Sequence, residues 1–468
     1  MTLNEAEKLI IDNPKNYKNL SSILKKNKDL FKIVIKKWSN ALEYADDEIK
    51  SDKNIVLLSI KRGGEAIKFS DKSLLNDPEF LLQAVKEDAY SLKYVNKIFT
   101  QNKEFMIKAI EIDGTSMRFA SADLKKNKDF IIQAVKKNGR ALEFVDKKIK
   151  KDKNFLLKIF KFNGFTLQYA DQSLKKDKDI VFQAVKQNSR SLKFADKNFW
   201  SNTKFLLKLV KENGFAIRFA SDCIKKNKNI VLEAVKYDGS VLQYADQELK
   251  SDEKIVLNAV NSNIKALNHA DESLIKNRNF IIKCARQDGL VIKYCLDKFK
   301  NDKKIVLEAV KSNGEALQYV NYNFKKDKQI VLMAVKNWAY ALEYADENLK
   351  QDKEVVMQAV KMGGEALRFA DDKLKNDKDI IFEAINQNGF SFGFNYGHAL
   401  MYSGNKIKKD KKIVIEAVKK WGFCLKYVNK KLKKDKEVVF EAVKNDGSVL
   451  KYADKSLQNN KKIVLEAV

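Results

Sequence analysis

The segment "DKDIVFQAVKQNSRSLKFADKNFWS" begins at Asp177 and "DKQIVLMAVKNWAYALEYADENLKQ" begins at Asp327, an offset of six periods of 25 residues. The same frame starts at Asn27, Asp52, Asp77, Asn102, Asn127, Asp152, Asp177, Asn202, Asn227, Asp252, Asn277, Asp302, Asp327, Asp352 and Asp377. It slips by eight residues, then resumes at Asp410, Asp435 and Asn460. Every start is Asp or Asn. A unit of 25 residues cannot bury both of its faces alone, so neighbouring units must bury one another.

Counting from that Asp or Asn, each position has a physical reading. Position 1 is an N-cap, accepting from a free amide of the first helical turn. Positions 4, 5, 8 and 9 are apolar, as in Ile180, Val181, Ala184 and Val185, a stripe at helical spacing. Position 8 is usually small, which predicts a helix approaching closely there. Position 10 is usually Lys or Arg, which suits a helix C-terminus. Position 13 is Gly in 12 of 17 copies, and the expectation is a left-handed residue that ends the helix. A second, shorter helix is expected over "xALxYA", with Tyr or Phe at position 18 in every copy but one, where His269 stands. A closing "DxxLK" turn tucks in an apolar residue at position 23, such as Leu174, Leu249 or Leu349. The predicted class is all-α, an α-solenoid of about nineteen 25-residue helix–short helix–turn repeats forming a curved superhelical rod.

Residues 1–26 read as a divergent N-terminal capping repeat, opened by the capping box Thr2–Glu5, "TLNE". Residues 27–388 are the helical repeat array, 389–404 an irregular region, and 405–468 the continued array. The final "NKKIVLEAV" stops inside a long helix with its apolar stripe intact, so the expectation is that the chain continues or that this end meets a partner. The irregular region, "GFSFGFNYGHALMYSG", holds two versions of one eight-residue segment, with Gly389 matching Gly397 and Phe390 matching His398. It reads as a tandem duplication of the start of the short helix. Its aromatic side chains either form a buried wedge that bends the stack or grip a partner through Phe390, Phe392, Phe394, Tyr396 and His398.

No constellation for catalysis stands out. The only histidines are His269 and His398, and the four cysteines have no CxxC spacing. Cys284, Cys295 and Cys424 occupy small apolar positions and read as buried thiols, which fits a reducing compartment. The expectation is a non-enzyme with no cofactor and no metal. No apolar run approaches the roughly 18–20 residues of a membrane span, and no basic leader opens the chain.

Charge says more. The net charge is +29, with lysines concentrated at positions 24, 25, 2 and 10, as in Lys175, Lys176 and Lys178. Stacked units would align them as a basic seam. Positions 14 and 17 vary most and share an outward face of the short helix. The seam with Arg140, Arg190 and Arg218 from that face makes RNA binding an alternative function. Against it, only 8 of 91 basic residues are Arg, the residue favoured for bidentate phosphate and base contacts. Trp38, Trp338 and Trp421 replace the usual small or polar residue at position 12, an expected exposed helix end, and are candidate partner contacts.

The recurring "DKEVVxxAVKxxGxALxYADxxLKxD" resembles the repeat of the domain-of-unknown-function family numbered 4116, over nearly the whole chain. The resemblance implies tandem helical repeats of a kind found in protists, large viruses and host-associated bacteria, some effector-like, with no catalytic residues to carry over. It also fits a cytoplasmic location or delivery to a host cytosol. The leading expectation is a non-enzymatic scaffold or adaptor binding a protein partner; RNA binding and a structural spacer are the alternatives. The repeat leaves the oligomeric state open.

Overall fold

A computed structural model describes residues 1–387 and 398–468 of the protein. The position-1 residue opens each long helix by the expected capping. Asp177 accepts from the amides of Asp179 and Ile180 at 3.0 and 3.1 Å, opening the helix Lys178–Gln187. That helix buries Ile180, Val181, Ala184 and Val185. The chain then turns through Asn188 in extended conformation, whose side chain accepts from the Arg190 amide at 3.0 Å. Next comes the short helix Ser189–Phe194, which buries Ser191 and Leu192, and then the turn Lys197–Trp200. Among the described residues every regular element is helical, and the fold is an all-α repeat solenoid. At the N-terminus the capping box forms as read, with Thr2 and Glu5 exchanging bonds of 2.8 and 3.4 Å.

Two local expectations change. The short helix is a 3₁₀ helix, six residues long and closed by bonds such as Ala195 N–H to the Leu192 carbonyl at 3.2 Å. The position-13 glycines do not end the long helix in a left-handed conformation; they open the 3₁₀ helix, and none among the described residues has a left-handed φ. Glycine is needed there because the next unit leaves no room. A Cβ on Gly164 would stand 2.0 Å from the carbonyl oxygen of Ala184, and one on Gly239 would stand 1.9 Å from that of Ala259. The small residue at position 8 and the glycine of the preceding unit are two sides of one contact.

The described chain forms two compact units, Met1–Ile224 and Lys225–Val468, each built from the same pattern. The division falls within the repeat that starts at Asn202, and the frame carries no mark of it.

Inside each unit three kinds of bond recur between a repeat and the next. The first is a backbone bond from the position-20 amide to the position-24 carbonyl of the preceding repeat. Asp171 to Lys150 spans 3.1 Å in the first unit, and Asp271 to Lys250 spans 2.9 Å in the second. The second, where position 11 is Gln187 or Asn337, is a side-chain clamp. The Gln187 amide oxygen accepts from Gly164 N–H at 2.7 Å while its nitrogen donates to the Phe162 carbonyl at 3.1 Å, and Asn337 does the same for Gly314 and Lys311. The third is an ion pair from the position-2 cation to the position-1 Asp of the next repeat. It is 2.7 Å for Lys53–Asp77, 2.8 Å for Lys153–Asp177 and 2.9 Å for Lys303–Asp327.

Candidate interaction surface

The lysines expected to form a basic seam are largely committed to the fold. At position 24, Lys175 donates to the carbonyl of Gln168 at 2.8 Å, and partial burial lowers its pKa. Lys325, Lys408 and Lys433 do the same to Gln318, Met401 and Lys426 at 2.9, 2.9 and 2.7 Å. Trp200, which stands at the same position, donates its indole N–H to the Leu192 carbonyl instead, one residue earlier, at 2.9 Å. At position 25, Lys151 lies 3.9 Å from Asp171 and Lys434 lies 3.8 Å from Asp454. At position 2 every cation that precedes an Asp cap is paired with it, Lys28, Lys128, Lys328 and Lys411 among them. Lys176 and Lys178 are exposed, and the cap that follows Lys178 is Asn202.

A different row carries cations outward. Position 17 is exposed in most repeats, and its cations lie over the position-18 rings of their own and the following repeat. Lys68 Nζ is 4.7 Å from the Phe69 ring centre and 5.8 Å from that of Tyr94. Lys193 and Arg218 are 5.1 and 5.5 Å from Phe219. In the second unit Lys293 is 5.9 Å from Tyr294 and 5.1 Å from Tyr319, and Arg368 is 4.7 Å from Phe369. Four aromatic residues at position 14 extend the row, meeting the next position-18 ring edge to face. These pairs are Tyr90–Phe119 at 5.9 Å, Phe165–Phe194 at 5.3 Å, Tyr340–Phe369 at 5.9 Å and Phe423–Tyr452 at 5.5 Å.

The row is mixed in sign, with Glu43, Glu143 and Glu343 at position 17 and Glu65, Glu315 and Glu365 at position 14. It also holds five of the eight arginines: Arg118, Arg140, Arg190, Arg218 and Arg368. In a chain that uses Lys almost everywhere else, that concentration is a positional preference. The counts by repeat position would have revealed it in the sequence.

The position-12 tryptophans are half-buried, not exposed as expected. They supply no cap bond and lie against the position-18 ring of their own repeat, Trp38 at 5.4 Å from Tyr44 and Trp338 at 6.2 Å from Tyr344. Trp421 is half-buried at the equivalent place. Phe390, Phe392, Phe394 and Tyr396, and the side chain of His398, lie outside the described residues, as does the wedge reading of that segment. His269 is half-buried, and burial lowers its pKa. Burial pushes the thiols of Cys284, Cys295 and Cys424 up to about 12, while Cys223 is exposed. Among the described residues no group of His, Cys, Asp and Glu is placed to hold a metal, and no helix is long and apolar enough to cross a membrane.

Repeated helical units with a regular side-chain row define a helical-repeat protein. The chain belongs to the family described as domain of unknown function (DUF4116), whose model matches residues 52–100, 102–150, 152–200, 202–250, 227–275, 277–325, 302–350, 352–395, 394–433 and 435–468. Nine of these ten matches begin on a position-1 Asp or Asn, so one family domain covers two repeats. The remaining match, from residue 394, begins inside the duplicated segment. A comparison with curated proteins finds no match.

Proposed function

We propose that this chain is a non-enzymatic scaffold that binds a protein partner along the row of positions 14, 17 and 18. The observation that carries the reading is the side-chain pattern of that row: regular rings, with cations and carboxylates that change from repeat to repeat. A protein segment varies in charge and apolarity along its length and matches such a row. A nucleic-acid backbone carries uniform charge and matches it poorly, because Glu143 and Glu343 would face phosphates. The lysine seam adds less to the RNA reading, since most of its position-2 and position-24 side chains bond within the fold.

The test is site-specific photo-crosslinking. A photoreactive residue placed at Gln168, Gln243 or Gln318, all at position 17, is expected to capture a partner polypeptide. The same probe at the exposed position-3 residues Asp129, Asn229 or Gln329 is expected to capture none. Crosslinks to RNA, or equal capture at both positions, would overturn the proposal.

A further inference from the structure

Two cavities open on the row in the first unit, and their charges differ. One, of about 440 Å³, is lined by Tyr90, Arg118, Arg140, Glu87 and Glu143 among others. There the cations are answered locally, with Arg140 Nε 3.1 Å from Glu143. The other, of about 380 Å³, is lined by Phe165, Arg190, Lys193, Phe194, Arg218 and Phe219. It has three cations and no carboxylate. Phe165, standing edge to face on Phe194, is 38% exposed. Lys193 and Arg218 hold their charges beside Phe219, at 5.1 and 5.5 Å from its ring centre.

We propose that the cavity between Phe165 and Phe219 is a docking site for an acidic peptide segment that carries an aromatic side chain beside its carboxylates. This inference rests on the protein-partner reading of the row and names the partner chemistry at one place on it. Charge complementarity selects the anion, because three cations share one concave surface with no acid among the lining residues. The Phe165 ring selects the aromatic side chain, which gains contact area there without displacing a bonded group. The extent of the positive surface selects a short peptide over RNA. Glu143 stands on the same row one repeat before the cavity's first residue, whereas a nucleic acid brings a phosphate at every step. Arginine suits the site because its planar fork pairs a carboxylate bidentately and also stacks on rings.

The experiment uses the full chain and a fluorescent peptide in which Glu residues flank a central Phe, with binding read by anisotropy at physiological ionic strength. The expected result is saturable binding that the double variant Arg190→Glu, Lys193→Glu weakens by about tenfold or more and that Phe165→Ala weakens less. Lys178→Glu, an exposed position-2 cation off the row, is expected to leave affinity unchanged. Circular dichroism confirms that each variant is folded. Absence of peptide binding, or equal loss in Lys178→Glu, overturns the site. Tighter binding of a single-stranded RNA of matched length, lost in the same variants, overturns it in favour of RNA. Partner crosslinks at position 17 that survive the Arg190 and Lys193 changes would leave the scaffold reading standing while removing this site.

Discussion

The lysines of this protein meet two fates, and the difference lies in what each repeat offers the next. Along positions 24, 25, 1 and 2, a cation finds a carboxylate or carbonyl one repeat or one turn away, as Lys153 finds Asp177 and Lys175 finds the Gln168 carbonyl. Along positions 14, 17 and 18, most cations lie over rings, and a cation above a ring keeps the charge it presents to solvent. One side of the repeat uses charge to join units. The other side holds charge in view. A net charge of +29 therefore overstates what the first side offers to a partner and says little about the second.

Acidification should break the comparison most severely, because the carboxylates that join repeats lie on the first side. Asp52, Asp77, Asp152, Asp302, Asp327 and Asp410 are held below the usual carboxylate range, first by their Lys or Arg partner and further by helix amides. A depressed folded pKa contributes stability that is fully present above the unfolded value, near 3.9, and is lost as pH falls through the folded value. Thermal melts followed by circular dichroism should be nearly constant from neutrality to about pH 5 and collapse below about pH 4. Melts that decline steadily from neutrality would place the sensitive groups elsewhere.

A substitution between repeats comes next, since both sides depend on that contact. Gly164→Ala forces a methyl group onto the Ala184 carbonyl and should cost about 2 kcal/mol in chemical denaturation. Gly63→Ala is the control, because its Cβ would meet the Ser39 side chain at an ordinary 3.6 Å and its extended φ of 178° suits any residue. Equal stability of the two variants would show the contact to be loose. Removing a single cap is milder. Asp152→Ala deletes the bond to the Phe155 amide and the pair with Lys128, for a loss of about 1 kcal/mol. The smallest effect belongs to the outward row: Lys193→Ala should change stability by less than about 0.5 kcal/mol. A larger loss there would mean that the row joins repeats as the other side does.

Much of this architecture was readable because it is local. The caps, the stripe at positions 4, 5, 8 and 9, the Thr2–Glu5 box and the buried Cys284, Cys295 and Cys424 depend on residues within a few positions of one another. The glycine was misread for the opposite reason. A Gly after a helix suggests a left-handed cap, but here its cause is the Ala184 carbonyl, twenty residues beyond Gly164 in the chain. Trp338 looked exposed because its stacking partner, Tyr344, lies across the turn that folds the short helix back.

The ion pairs between repeats did leave a trace in the sequence. Leu3, Pro78, Thr203 and Glu253, the non-cationic residues at position 2, all stand before a repeat headed by Asn. Every repeat headed by Asp follows a Lys or Arg at that position, wherever a position-2 residue precedes it.

That pairing limits how such a gene can grow by recombination. Copying the repeat that begins at Asp152 puts Lys153 against a second Asp, and the new junction is bonded at birth. Copying the repeat that begins at Asp252 puts Glu253 against an Asp, and the junction starts with two like charges in the place of an ion pair. The repeats are thus not freely interchangeable tiles. Each one carries at its second residue a statement of which neighbour it accepts, and the length of the array can change without penalty only at joints where that statement is honoured.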